Sequence, residues 1–367
     1  MNLIDLNFHA SNEYADPQEV ISLHWPSLGY AAFLKHRVPV QVIKHINYEG
    51  GVGVDGVRFE FFKSRNRFWH IPFSTIRYIK TQRPCFVLVQ GFVFPLQIIC
   101  LKLALGKFGT ICLQHHGERP FGGLKRKLQQ LADRFVDAYS FASADMARDW
   151  IDAGIISSSA KCHEIMGVST DFASVNKVLA KQQTGVSGSP AFVWVGRLNQ
   201  NKDPLTVIEG FGKYLEVNPA AALYMIYQEN DLEDKVRALI NANGMLAKNV
   251  KLVGKIPHVD LANWFSAADF YLSGSHREGS GYALIEAMAC GCIPIVTDIP
   301  SFRKITNDGN CGLLYKAGDS DDLLNALLKV SQLKLEQESK KIENYFRDHL
   351  SFAAYAEQVQ RVMDRFD

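Results

Sequence analysis

The sequence predicts an α/β protein of two domains, and three observations predict it. The chain has 367 residues, 47% of them hydrophobic, which is ample for two cores. Short apolar runs of strand length, such as Phe270 to Leu272 and Ile293-Pro-Ile-Val296, are separated by glycine-bearing loops and helix-length segments. One stretch near the middle, Lys181-Gln-Gln-Thr-Gly-Val-Ser-Gly-Ser-Pro190, has the composition of a linker. It divides residues 1–180 from residues 191–345, with 346–367 left as a terminal helix.

Composition removes several classes. The longest apolar stretch, Val87 to Leu105, is broken by Gln90, Gly91, Pro95, Gln97 and Lys102, so a membrane span is not expected. The first residues lack the basic-then-apolar pattern of a secretory signal. The seven cysteines are an odd number and mostly lie in apolar runs, which reads as buried thiols in a reducing, cytoplasmic compartment. Cys290-Gly-Cys292 has no second ligand pair nearby, so no zinc site is expected. Residues 1–180 carry 20 Lys and Arg against 15 Asp and Glu, and the remainder carries 20 against 23. That basic half could favour an anionic partner.

In the first half, Leu3 to Phe8 reads as the first strand. His9 to Asp16 reads as a polar loop, and a helix is expected from Pro26-Ser-Leu-Gly29 to Lys35, with Ile21 to Trp25 as a competing strand. Val38 to Ile46 and Val57 to Phe62 read as strands around Gly50-Gly51. Basic and aromatic residues interleave from Phe59 to Trp69 and continue in Arg77, Lys80 and Arg83. This mixture suits an anionic membrane surface or anionic chain, and equally a core strand flanked by solvated arginines. No recognition motif accompanies it, so nucleic acid is not an expected partner. The strand Cys85 to Gln90 and a helix from Pro95 to Leu105 follow. The next strand, Thr110 to Leu113, delivers Gln114-His-His-Gly-Glu-Arg-Pro120. Histidines at a strand's C-terminal end occupy the usual site position of an open α/β sheet. Tyr139 to Ala142, a helix from Ala144 to Ala153, and Cys162 to Met166 complete the first sheet.

In the second half, Phe192 to Val195 starts a new sheet and ends in Gly196-Arg197-Leu198, with Lys202 five residues beyond the arginine. A helix from Asp203 to Leu215 and strands at Ala222 to Tyr227 and Asn249 to Val253 follow, the last leading into Gly254-Lys255-Ile256. After the strand at Phe270 comes Ser275-His-Arg-Glu-Gly-Ser-Gly-Tyr-Ala-Leu-Ile-Glu286, an Ala-rich helix and a left-handed stop at Gly291. Strand, glycine loop and helix N-terminus make an anion site, because bare backbone N–H groups and the helix dipole face outward. Glu278 precedes that N-terminus and Glu286 lies one turn inside. A ligand rich in both phosphate and hydroxyl would suit the pair, although an ordinary helix with a dipole-compensating glutamate has the same spacing. Asp319-Ser-Asp-Asp322 begins a helix, where acidic residues favour the first turn, so it is not expected to hold a metal. Glu336 to Phe366 reads as strongly helical.

Glu278-Gly-x-Gly-x-x-x-x-Glu286-Ala-Met-Ala-x-Gly-x-x-Pro294 resembles the E-x7-E signature of retaining GT-B glycosyltransferases of family 4, and the likeness extends through most of the C-terminal half. The resemblance implies two Rossmann-like domains facing a central cleft, with the last helix crossing back to the first domain. It implies a nucleotide-diphospho-sugar donor, UDP- or GDP-linked, and no cofactor. Glu286 would accept from the ribose hydroxyls. Glu278 and the Gly279, Ser280, Gly281 and Tyr282 segment would hold the transferred sugar. Arg197 and Lys202, in a Gly-Arg-Leu…Lys-Asp pattern, would neutralise the diphosphate. Backbone at Ile256 would face the base, and His116, with His115 beside it, would lie near the donor sugar. Three departures stand out. Pro26 and Gly29 are all that remains of a glycine-rich first loop, and Ser169 stands where the family has an aspartate in Gly167-Val-Ser-Thr-Asp171-Phe172. Gln228-Glu229-Asn230 replaces a Gly-x-Gly.

The expected function is therefore retaining, metal-independent transfer of a sugar from a nucleotide sugar to an acceptor hydroxyl. The acceptor would be a saccharide or lipid-linked molecule of the kind used in polysaccharide or glycolipid assembly. A sugar-nucleotide epimerase or a non-catalytic nucleotide-sugar binder of the same fold is the alternative. A retaining glycosidase would also need two carboxylates, but not Arg197, Lys202 and a phosphate loop. The expected location is the cytoplasm, including the inner face of a membrane.

Overall fold

The computed structural model describes all residues except 66, 67, 229 and 230. The basic-aromatic stretch at Asn66-Arg67, and Glu229-Asn230 of the Gly-x-Gly replacement, lie outside the described residues. The chain forms two units, Met1–Ser169 with Phe352–Asp367, and Thr170–Ser351.

The first unit is built on eight strands: β1 (Asn2–Ser11), β2 (Val40–Ile46), β3 (Gly50–Val54), β4 (Val57–Phe62), β5 (Cys85–Gln90), β6 (Gly109–Gln114), β7 (Ala138–Phe141) and β8 (Cys162–Glu164). Their order is β3-β4-β2-β1-β5-β6-β7-β8, and among the described residues only the β3–β4 pair is antiparallel. The central strand β5 reads as a near-continuous apolar run because helices cover both faces of a parallel sheet. Val87, Leu88 and Val89 are fully buried. β3 went unread in the sequence because glycine weakens strand propensity. Asp55 and Gly56, both at positive φ, make the tight turn that folds it onto β4.

The first helix runs Pro17–Leu28, not from Pro26. Asp16 caps it by accepting from Gln18 N, Pro17 takes the first turn, and Pro26 lies inside the last turn. Gly29 does not belong to a ligand loop: a Cβ there would sit 2.6 Å from the Phe352 ring. Phe352 begins the last helix, Phe352–Met363, which packs on the first unit through Tyr355 over Tyr30, with ring centroids 4.3 Å apart. Gln358 Oε1 accepts from Met166 N in the same unit. The expected return of the last helix to the first domain is what the structure has. The stretch expected to be strongly helical from Glu336 to Phe366 is helical over Leu335–Tyr345, wound more widely at Phe346–Leu350, and broken at Ser351, so the terminal helix starts at Phe352 and not at 346.

The second unit has six parallel strands: β9 (Ala191–Gly196), β10 (Ala222–Tyr227), β11 (Val250–Gly254), β12 (Phe270–Ser273), β13 (Ile293–Thr297) and β14 (Leu313–Tyr315). Their order is β11-β10-β9-β12-β13-β14. Two parallel-sheet Rossmann-like units, with the final helix on the first, give the GT-B architecture. The linker expected at 181–190 is a correction. Asn176 caps a helix at Lys177–Thr184, and Ala180 and Val186 are buried with Ala191, Ala222 and Tyr224. Ser187 N donates to Tyr224 Oη. Glycine and serine there make turns in a packed segment of the second unit, and the units divide at Ser169 and Thr170. Phe59 and Phe61 are buried sheet residues of β4, so this part of the basic-aromatic stretch is core strand. No helix among the described residues is long and apolar enough to cross a membrane.

Candidate functional site

The second unit assembles its site from the loops that leave the C-terminal ends of β9 and β12, the usual ligand position in a parallel sheet. β12 is fully buried and central, and the chain then turns through Gly274 and Ser275. Gly274 has no room for a side chain, since a Cβ would lie 2.8 Å from Asp203 O. This close approach lays the two loops together. His276 N donates to Asn201 O at 2.8 Å, Asn201 Nδ2 donates to Arg277 O at 3.0 Å, and His276 Nε2 meets Asp203 Oδ2 at 2.9 Å. Asp203 caps the Pro204–Val217 helix from a left-handed backbone. Tyr315 Oη, donating to Ser273 O, anchors the loop from beneath.

The glycine loop ends in a helix, Tyr282–Ala289, as the sequence predicts. Gly281 stands at its N-cap at φ 60, and no side chain caps the helix. A helix end without a side-chain cap suits an anion. Ser280 is buried, at 6% exposure, and its hydroxyl has no hydrogen-bond partner among the described residues. Gly279 is half-buried, and Tyr282 projects outward at 48% exposure. Gly291 ends the helix at φ 71, the expected left-handed stop.

The two glutamates already have partners. Glu278 forms an ion pair with Lys202, both largely shielded from solvent. The cation assigned to a diphosphate and the carboxylate assigned to a sugar thus neutralise one another, and a ligand would have to divide them. Glu286 is 4% exposed, and its Oε1 lies 2.6 Å from His258 Nε2. His258 was not anticipated. It follows β11, beyond Gly254 and half-buried Ile256, and its ring packs on Phe172 at 5.1 Å between centroids. The hydrogen bond to Glu286 raises the His258 pKa above its ordinary value against the opposing effect of burial, with Asp171 adding to the rise. The signal in the sequence was Pro257-His258, three residues past a strand-ending glycine. Arg197 is exposed at the end of β9.

Asp319 accepts from Asp321 N and Asp322 N at the start of the Ser320–Leu328 helix, a cap as expected. Among the described residues no cluster of three or more His, Cys, Asp or Glu side chains could hold a metal ion.

His116 lies in the first unit, at the C-terminal end of β6. Its backbone N–H donates to Glu118 Oε2 at 2.7 Å, and its Nε2 lies 2.6 Å from Gln90 Oε1. The residue is exposed, although protein atoms crowd its ring. This desolvation pushes its pKa down to about 4; Glu118 opposes the fall, and His115 and Lys44 add to it. His115 is a core residue, 3% exposed, packed against Phe92 and Trp150.

Residues 176–349, nearly the whole second unit, match the family model for glycosyl transferases group 1. The amylovoran biosynthesis glycosyltransferase AmsK of Erwinia amylovora is 28% identical over 180 residues, covering 46% of this chain and 44% of that protein. The GDP-mannose:cellobiosyl-diphosphopolyprenol alpha-mannosyltransferase of Xanthomonas campestris is 31% identical over 123 residues, 33% of this chain and 32% of that protein. The chain thus spans less than half the length of these curated relatives. Among solved structures, Anabaena Alr3699/HepE in complex with UDP superposes at a TM-score of 0.74, with 14% identity and 100% of both chains covered. Sucrose-phosphate synthase from Thermosynechococcus elongatus superposes at 0.71, with 16% identity, covering 100% of this chain and 99% of that one. These structures share the fold. The likeness to the group 1 glycosyl transferases is thus carried by residues 176–349.

Proposed function

We propose that this chain is a retaining glycosyltransferase that moves a sugar from a nucleotide-diphospho-sugar to an acceptor hydroxyl. The observation that carries the reading is the buried Ser280 hydroxyl, without a hydrogen-bond partner, beside the uncapped N-terminus of the Tyr282–Ala289 helix. Burying such a group unpaired costs roughly 1–3 kcal/mol, a cost that a bound ligand would offset. Lys202 and Glu278 flank the same loop, and the buried Glu286 lies one turn beyond it.

In this reading the diphosphate takes the helix N–H groups, Arg197 and Lys202, and Lys202 exchanges Glu278 for phosphate. Glu278, released, accepts from hydroxyls of the transferred sugar together with the Gly279 and Gly281 amides. Glu286 accepts from the ribose, in competition with His258. Ile256 faces the base, and His116 serves the transferred sugar. As the glycosidic C–O bond breaks, its electron pair stays on the departing phosphate oxygen, where the cations stabilise it more than in the ground state. The acceptor hydroxyl attacks from the same face and passes its proton to the departing phosphate oxygen, so configuration is retained. These protein cations make a divalent metal unnecessary. UDP and GDP are both candidate leaving groups, and the acceptor is a saccharide or a lipid-linked saccharide. The basic-aromatic surface, with Trp69 and Phe73 well exposed, is the candidate contact for such a lipid or an anionic cytoplasmic membrane face.

The test is a screen of UDP- and GDP-linked sugars by thermal shift, followed by mass analysis of donor and acceptor mixtures with and without chelator. A mass-shifted acceptor is expected. An isomerised donor, or binding with no turnover, would defeat the transferase reading in favour of an epimerase or a binding protein.

A further inference from the structure

His116 is the end of a hydrogen-bond chain that begins deep in the first unit. Asp5 on β1 is in register with Val42 of β2 and Leu88 of β5. Side chains along a strand alternate, so Lys44 and Gln90, each two residues further on, share the face of Asp5. All three are buried, at 0%, 6% and 6% exposure. Tyr30 Oη donates to Asp5 Oδ2 at 2.7 Å, and Gln90 Nε2 donates to the same oxygen at 2.8 Å. The other end of the Gln90 amide, Oε1, lies 2.6 Å from His116 Nε2.

The acceptor-only character of a carboxylate decides the rest. Asp5 needs donors, so the Gln90 amide must turn its NH2 to Asp5 and its carbonyl to His116. A carbonyl can only accept, so His116 must carry its proton on Nε2 and keep a lone pair on Nδ1. The opposite tautomer would set two lone pairs against each other. Lys44 opposes the rise that burial gives the Asp5 pKa. Protonating Asp5 would fill Oδ1, which has no hydrogen-bond partner among the described residues, and leave Oδ2 accepting. A buried carboxylate with one oxygen unpaired is a costly way to fill a sheet face that leucine would fill. The groups facing His116 are Glu118, His115 and Lys44, and they do not alter this chain of donors.

We propose that Asp5 and Gln90 are positioning residues that hold His116 as the neutral Nε2–H tautomer, leaving Nδ1 as an acceptor for a hydroxyl of the sugar substrate. The effect on turnover rests on the transferase reading above, whereas the tautomer does not.

Long-range proton–nitrogen correlation spectra of the 15N-labelled, unliganded chain test the tautomer, with His116 assigned by its loss in His116→Gln. The wild type is expected to show protonated Nε2 and bare Nδ1 throughout pH 5.5 to 8. Gln90→Leu removes the acceptor, and Asp5→Asn lets the Gln90 amide turn round; each should mix the tautomers. With the donor found by screening, both variants should lose roughly 10-fold to 10²-fold in kcat with donor KM little changed. A wild-type Nδ1–H tautomer overturns the proposal, and that spectrum decides alone should neither variant fold. So do unchanged tautomers in both variants, or shifted tautomers with wild-type kcat. A wild type that turns over no donor yet shows the Nε2–H form defeats the transferase reading and upholds the tautomer.

Discussion

His258 Nε2 and Glu286 Oε1 lie 2.6 Å apart, so the carboxylate assigned to a ribose is held by an imidazole in the unliganded chain. Because the hydrogen bond raises the His258 pKa above its ordinary 6.5, the pair contributes stability chiefly while His258 is protonated. That contribution is fully present below about 6.5, the unfolded value, and is lost as pH rises through the higher folded value. The melting temperature of the wild type should therefore exceed that of His258→Gln at pH 6, and the gap should narrow by pH 8.5. Differential scanning calorimetry at the two pH values checks it; a constant gap would show that the ionic form contributes nothing.

Glu286→Gln should weaken binding of the free nucleoside diphosphate by about 1–3 kcal/mol, the usual worth of a hydrogen bond to a charged group. Titration calorimetry reads this directly. Unchanged affinity would remove Glu286 from the ribose site and leave it as the partner of His258 alone.

Lys202→Ala should depress kcat by a factor of about 10² to 10³, with a smaller rise in donor KM, because the leaving diphosphate gains charge only as the bond breaks. Arg197→Ala should act in the same direction. Lys202→Arg keeps charge but changes geometry, and should recover part of the rate. Folded Lys202→Ala and Arg197→Ala proteins working at wild-type kcat would place the diphosphate elsewhere.

Gly29→Ala should destabilise the first unit by about 1–3 kcal/mol, the cost of overpacking a filled contact. The new Cβ would enter the ring of Phe352 at 2.6 Å. Gly29→Ala combined with Phe352→Leu should recover part of the loss, since the two residues share one contact. Urea unfolding measures both, and simple additivity of the two substitutions would contradict the packing account.

The sheets, the glycine loop and the helix that carries Glu286 were legible in the sequence because local signals agree there: an apolar strand, Gly-x-Gly, and an alanine-rich helix closed by Gly291. The partners of the site residues were not. Whether Lys202 meets Glu278 depends on how closely the β9 and β12 loops approach, and that turns on the missing Cβ of Gly274. His258 was invisible for the same reason, since a histidine beyond a strand gains meaning only from the helix beside it. The Pro26 and 181–190 misreadings share another cause. Proline and glycine report local backbone preference, while Asp16-Pro17 and the burial of Val186 decide where helix and unit begin.

Because Phe352–Asp367 folds with Met1–Ser169, the second unit is an insertion within the first. During synthesis the first sheet emerges before the second unit, but the surface around Gly29 and Tyr30 waits for Phe352 and Tyr355, which follow that unit. The second unit has all its residues before then and can fold ahead of the unit that encloses it in sequence. A nascent chain halted after Ser351 would therefore hold a complete second unit and an N-terminal unit with an exposed apolar seam, the form that chaperones and proteases would recognise.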